Sequence, residues 1–296
     1  MTLMTLLVIA LLSSVAAAAP APAGRISIVA SFYPLYEFAR QVGGDRVTVR
    51  NLVPAGAEPH DYELTPRDVI AVNEARMVIY NGAGLEPWVQ KLLPQIPERV
   101  VKINASSGVQ LMRLGSGEGR GQIDPHVWLD PVLAQRQVDN VLAGLVQADV
   151  SGRAVYEANA ATFKAKLGAL HERIQRTLAP CRKKVFIMTH TAFGYFAARY
   201  ALTQFAIAGV TPGAEPSAAK IREILRIVRQ HDIHVIYYET LVSPRVASAI
   251  AREVGARTLV LNPIEGLSGA EVRQGKDYLS VMDENVRSLA QGLDCP

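Results

Sequence analysis

Short β-branched runs alternate with helix-compatible stretches along most of this chain, twice over, and that alternation leaves few folds open. In the first half, RISIVAS, RVTVRNLV, RMVIYNG and RVVKIN are separated by stretches such as YPLYEFARQV and TPRDVIAVNEA. The second half repeats the scheme with KVFIMTH, TQFAIAG, IHVIYYE and RTLVLN. Between these stand AAKIREILRIVRQ, whose Ile221, Ile224, Leu225 and Val228 keep helical spacing, and PRVASAIAREVG, with Pro244 at a first turn and Gly255 at a stop. Such alternation predicts an α/β protein with two lobes, each built on a mainly parallel sheet.

The halves are related in sequence. Laying Ile28–Ser31 over Ile187–His190 also brings Tyr36 over Tyr195 and Arg40 over Arg199. The tetrapeptide Gly-Ala-Glu-Pro occurs at 56–59 and again at 213–216, followed by His60 in the first copy and Ser217 in the second. From about Ser151 to Leu178 runs a proline-free segment in which Phe163, Leu167, Leu170, Ile174 and Leu178 form one apolar stripe. A helix of that length reaches about 40 Å and spans both lobes. It predicts a rigid link with small domain movements, and a division into an N-terminal lobe (24–150), a connecting helix (151–180) and a C-terminal lobe (181–296). The stretch from Ala105 to Ile123 is rich in Gly and Ser, reads as a mobile loop and contains no histidine.

Residues 1–23 read as a secretory signal peptide: an apolar run from Leu3 to Leu12, then small residues, with cleavage after Ala23. The apolar run is short for a membrane span, and nothing later reaches the roughly 18 apolar residues one needs. No cysteine follows the run, so a soluble exported protein without an N-terminal lipid anchor is expected. Export makes Cys181 and Cys295, the only two cysteines, a plausible disulfide pair, and the lack of Cys-x-x-Cys argues against thiol redox catalysis. The net charge of +4 invites a nucleic-acid partner, but the basic residues are scattered and CRKKV is the densest run. No nucleic-acid binding is expected.

Six histidines remain: His60, His126, His171, His190, His231 and His234. His60 and His190 stand where strands hand over to loops, the edge at which α/β proteins build ligand sites, and His126 lies in the stiff turn DPHVWLDP. One loop histidine signifies little. Three imidazoles from separate segments, with one oxygen, make a coordination set that suits Zn²⁺. His171 reads as a solvated helix residue, and His231 with His234 as a less favoured chelating pair.

The segments SFYPLYEFARQVGGDRVTVRNLVPAGAEPHDYELTPRDV, ARMVIYNGAGLEPWV, DPHVWLDP, THTAFGYFAARYAL and GVTPGAEPSAAKI resemble the cluster A-I metal-binding solute receptors, the zinc and manganese receptors of bacterial ABC importers. The resemblance covers the mature chain in order. It implies two (β/α) lobes joined by a long rigid helix, with one metal in the cleft, and it makes His60, His126 and His190 the first three ligands. Histidine at the third position resembles zinc receptors, where manganese receptors tend to have glutamate. Zn(II) is therefore the expected cargo and Mn(II) the lesser alternative. Where many members carry an aspartate after the last strand, this chain has LVLNPIEGLSG. Glu265 is the first candidate for the fourth ligand, then water, then Asn262. The resemblance further implies surface glutamates that meet arginines of the membrane permease, and Glu58 and Glu215, equivalent in the repeat, are the candidates.

The expected function is a monomeric periplasmic receptor that captures zinc and delivers it to an ABC permease, without catalysis. A zinc hydrolase would also use three protein ligands, but His-Glu-x-x-His is absent and no acid or base sits at a recognised catalytic spacing. A surface adhesin is a further alternative for which no residue speaks.

Overall fold

The computed structural model describes residues 24–114, 121–209 and 212–296. The signal-peptide reading of residues 1–23 lies outside them, as does part of the 105–123 loop. The first lobe runs β1 (Ile26–Ala30), α1 (Tyr33–Gly43), β2 (Val47–Asn51), α2 (Pro66–Glu74), β3 (Met77–Tyr80), α3 (Val89–Leu92) and β4 (Val101–Asn104). Then come two long helices, α4 (Pro131–Ala148) and α5 (Arg153–Leu178). The second lobe follows as β5 (Val185–Met188), α6 (Gly194–Arg199), β6 (Thr203–Ala206), α7 (Ala218–Gln230), β7 (Val235–Tyr238), α8 (Arg245–Val254), β8 (Arg257–Val260), α9 (Gly269–Arg273) and α10 (Tyr278–Gly292).

Each sheet has four strands, in the orders β2-β1-β3-β4 and β6-β5-β7-β8, and every pairing is parallel. The two orders are the same once the lobes are superimposed in sequence, which gives the internal repeat its structural meaning. The first strand of each lobe is central, so Ser31 and His190 both leave the C-terminal edge of an inner strand. All eight strand-like runs form strands.

The connecting helix α5 is 26 residues long, about 39 Å at 1.5 Å per residue. Tyr156, Ala160 and the five stripe residues from Phe163 to Leu178 are its buried face. That face is covered by α1, α4 and α10, and one continuous core runs along it from Ile28, Phe38 and Met77 to Phe186, Tyr237 and Met282. Burying these large side chains at about 25 cal/mol per Å² makes separation of the lobes costly, so rigidity resides in the shared core as well as in the helix. Helix α4, 18 residues long and parallel in role to α5, was not singled out from the sequence.

Cys181 and Cys295 form a disulfide across 114 residues of sequence. Among the described residues no helix is long and apolar enough to cross a membrane.

Candidate metal centre

Three loops and one strand end deliver the candidate ligands. Pro59–Asp61 is a single 3₁₀ turn after β2, capped by Glu58, whose Oε1 accepts the His60 N–H at 3.3 Å. The cap aims His60 into the cleft, where its side chain is 8% exposed. In DPHVWLDP each polar residue has a task. Asp124 Oδ1 accepts both the backbone N–H of His126 (3.0 Å) and its ring Nδ1–H (2.7 Å), which leaves Nε2 facing inward. Asp130 caps α4 through Val132 N–H at 2.8 Å, with Pro131 at the first helical position. His190 follows β5, and its Nδ1 lies 2.8 Å from Glu239 Oε1, close but poorly aligned for a hydrogen bond.

The C-terminal lobe holds the DPHVWLDP turn from the other side. Trp128 Nε1–H donates to Pro263 O at 2.7 Å, Tyr195 O–H donates to Asp124 O at 2.9 Å, and Arg199 donates to Asp130 Oδ2 at 2.8 Å. The repeated Tyr and Arg that pair Tyr36 with Tyr195 and Arg40 with Arg199 thus serve the site only in their second copies.

His60, His126, His190 and Glu265 converge. Glu265 Oε1 lies 3.4 Å from His60 Nε2, 2.9 Å from His126 Nε2 and 3.3 Å from His190 Nε2, and the last two nitrogens are 3.2 Å apart. A tetrahedral centre with bonds of about 2.0 to 2.1 Å has ligand-to-ligand edges of about 3.3 Å; these four edges are close to that, and all four ligand atoms lie within 4.8 Å of one another. His126, His190 and Glu265 are at most 1% exposed.

The charges are arranged for a cation. Burial lowers the proton affinity of His126 and His190, but the facing carboxylates more than reverse this: Asp124 and Glu265 raise His126, and Glu239 and Glu265 hold His190 well above the usual imidazole value. Burial would raise Glu265, yet His190 and the hydrogen bonds from the imidazoles hold it well below the usual carboxylate range.

Asn262 does not face the cage. Its Nδ2 donates to Glu271 Oε1 at 2.9 Å and its Oδ1 accepts Ile264 N–H at 2.7 Å, while Asn285 bonds both its backbone groups. Its amide is consumed in shaping the loop that presents Glu265, including the left-handed Ile264 at φ 59°. The two repeat glutamates also part company. Glu215 is exposed, as a surface contact requires. Glu58 is half-buried, with Oε2 enclosed and without a hydrogen-bond partner among the described residues; burial and the facing Glu265 carboxylate push its carboxyl up. This corrects the expectation of equivalent surface positions, and the reason is the cap: a side chain that accepts from His60 N–H must turn inward.

The other histidines lie elsewhere. His171 is half-buried rather than solvated, with Nδ1 3.0 Å from Tyr200 Oη. His231 ends α7, and exposed His234 pairs with Asp232 at 3.1 Å. Sequence reasoning missed Glu239, although it directly follows β7 at the same sheet edge as His190. That position was the available signal.

Comparisons with known proteins match the chain as a whole. The family model for ZnuA, the zinc-uptake complex component A, periplasmic, matches residues 28–292. The chain belongs to the ZnuA family. It is 38% identical to the high-affinity zinc uptake system protein ZnuA of Bacillus subtilis, across 95% of this chain and 92% of that protein. It is 37% identical to the zinc-binding lipoprotein AdcA of Streptococcus pneumoniae, covering 92% of this chain but 56% of AdcA. Among solved structures, the Zn(II)-bound ZnuA-like domain of that AdcA superimposes with a TM-score of 0.81 at 37% identity, over 92% of this chain and all of that domain. A ZnuA-family fold accounts for two parallel-sheet lobes joined through one long helix.

Proposed function

We propose that this protein is an extracytoplasmic receptor that captures Zn²⁺ between its lobes through His60, His126, His190 and Glu265 and hands it to an ABC importer permease. The observation that carries the reading is the cage of three Nε2 atoms and one carboxylate oxygen, with contacts of 2.9 to 3.4 Å, fed by loops of both lobes. Its sheltered position favours transport over hydrolysis. Similarity to zinc-uptake proteins supports zinc over manganese, as does a donor set of three nitrogens and one oxygen.

The working division is an N-terminal lobe of 24–150, a connecting helix of 151–180 and a C-terminal lobe of 181–296, with 1–23 removed on export and the mature protein a monomer. Glu215 is the surface glutamate that meets the permease. Glu58, the other candidate, acts through the His60 turn.

Native mass spectrometry tests the reading: residues 24–296 are stripped with chelator and offered equimolar Zn²⁺ and Mn²⁺. Uptake of one zinc, abolished in His60→Ala, His126→Ala and His190→Ala and reduced in Glu265→Ala, is expected. Preference for manganese would overturn the cargo, and no bound metal would overturn the receptor reading.

A further inference from the structure

The two carboxylates behind the imidazoles are held in different ways. Asp124 belongs to the same turn as His126 and accepts from both its backbone N–H and its ring. Glu239 comes to His190 from another strand, since it follows β7 whereas His190 follows β5. Its side chain is 1% exposed, and a carboxylate so enclosed keeps its direction only where a donor holds it. Among the described residues the hydrogen bond that Glu239 accepts comes from the hydroxyl of Thr189, the residue before His190 and 50 positions away in sequence. That bond falls on Oε1, the oxygen that stands 2.8 Å from His190 Nδ1. The ring nitrogen is too poorly aligned to bond this oxygen, so the hydroxyl, and not His190, fixes the carboxylate.

We propose that Thr189 is a positioning residue for the third ligand: its hydroxyl directs Glu239 Oε1 at His190 and so sets the orientation and donor strength of that imidazole. The proposal rests on the receptor reading and adds to it a side chain that offers no atom to the metal. The main chain at this place is anchored independently of the hydroxyl. Gln204 Nε2–H donates to His190 O at 2.9 Å, Ala208 N–H to Thr189 O at 2.7 Å and Thr191 N–H to Gly209 O at 2.8 Å. Loss of the hydroxyl therefore leaves the end of β5 in place and falls on Glu239. Valine keeps the branched shape of threonine without the donor, so Thr189→Val leaves an enclosed acceptor unmet, and Glu239 turns from the ring. Serine keeps the donor.

Zinc dissociation constants are measured by competition with a chelator for wild type, Thr189→Val, Thr189→Ser, Glu239→Gln and the double variant Thr189→Val with Glu239→Gln. Thr189→Val is expected to bind about tenfold more weakly, the low end for outer partners of metal-ligating histidines because it acts through Glu239. Thr189→Ser should stay within about twofold of wild type, and Thr189→Val should cost no more than about twofold once Glu239→Gln is present. This non-additivity separates positioning through Glu239 from a general effect on the fold. Wild-type affinity in Thr189→Val would overturn the proposal, as would equal losses in both backgrounds or a Thr189→Ser variant as weak as Thr189→Val. If circular dichroism shows Thr189→Val unfolded, Thr189→Ala takes its place in the same cycle. Wild-type protein that binds no zinc would sink the receptor reading itself, a result distinct from zinc binding that Thr189→Val leaves undisturbed.

Discussion

The carboxylate of Glu239 stands 2.8 Å from Nδ1 of His190, as that of Asp124 stands 2.7 Å from Nδ1 of His126. Each lobe thus contributes one imidazole backed by one buried carboxylate, and both rings present Nε2 to Glu265. A carboxylate beside Nδ1 makes the facing nitrogen a stronger donor, and at Asp124, where the hydrogen bond is formed, it also fixes the tautomer and orients the ring. Glu239→Gln keeps the shape and removes the charge. Zinc affinity is expected to fall about 10- to 100-fold, with the circular dichroism spectrum unchanged. Equal affinities in a competition titration against a chelator would show that Glu239 does not support His190.

Gly194 opens α6 against the other pair. A Cβ placed there would collide with Asp124 Oδ2, and Asp124 cannot yield freely because His126 holds its other oxygen. Gly194→Ala should therefore lower zinc affinity by about tenfold although residue 194 touches no ligand atom. Isothermal titration reads the effect. Gly168, with open space where its Cβ would be, is the matched control, and Gly168→Ala should leave affinity unchanged.

Protons compete with the metal for the same nitrogens. Zinc needs neutral imidazoles and an ionised Glu265, so binding releases protons and affinity falls as pH falls. Because facing carboxylates raise His126 and His190, the loss begins above the ordinary imidazole value of 6.5 rather than below it. Dissociation constants measured from pH 8 to pH 5 should weaken throughout that span. A flat profile would contradict ligation by three imidazoles.

Much of this was legible in the residues because the signals were local. The β-branched runs located all eight strands, and the stripe from Phe163 to Leu178 located the inward face of α5. His60 and His190 were legible as loop histidines at the strand ends of an α/β fold, and His126 through the DPHVWLDP motif, while their grouping as one ligand set came from the family resemblance. The fourth corner was harder. Asn262 and Glu265 lie three residues apart in one loop, and only the partners of Asn262, Glu271 and Asn285, decide which faces inward. Glu58 was misjudged for a similar reason: repetition in sequence implied equivalent exposure, whereas the hydrogen bond to His60 N–H turns one copy in. Long-range partners fix side-chain direction, and spacing along the chain does not reveal them.

Glu86 supplies a stability test away from the cage. Burial raises its carboxyl to about 7, against the opposing hydrogen bonds from Ser31 Oγ–H and the N–H groups of Asn81 and Gly82. Its folded value exceeds the unfolded one, so the native state binds more protons between about 4.5 and 7 and its stability declines as pH rises through that window. Glu86→Gln removes the titration but sets an amide against donors. Chemical unfolding should show a less stable variant at every pH with a flatter profile between pH 4.5 and 7. An unchanged slope would mean that Glu86 keeps its ordinary value.

The disulfide separates stability from binding. Cys181 precedes β5 at its N-terminal end, whereas His190 follows β5 at its C-terminal end, so the bond and the cage lie at opposite edges of the second sheet. Closing a loop of 114 residues restricts the unfolded chain by about 4 to 5 kcal/mol on the chain-entropy account. The double variant Cys181→Ser with Cys295→Ser should therefore melt several degrees lower while holding zinc as tightly as the oxidised protein. Reduction of the native protein should reproduce the shift in melting temperature. If the double variant instead lost zinc affinity in proportion to stability, the two edges of the sheet would be coupled, and the rigidity assigned to the core along α5 would have to include the C-terminal residues that the disulfide anchors.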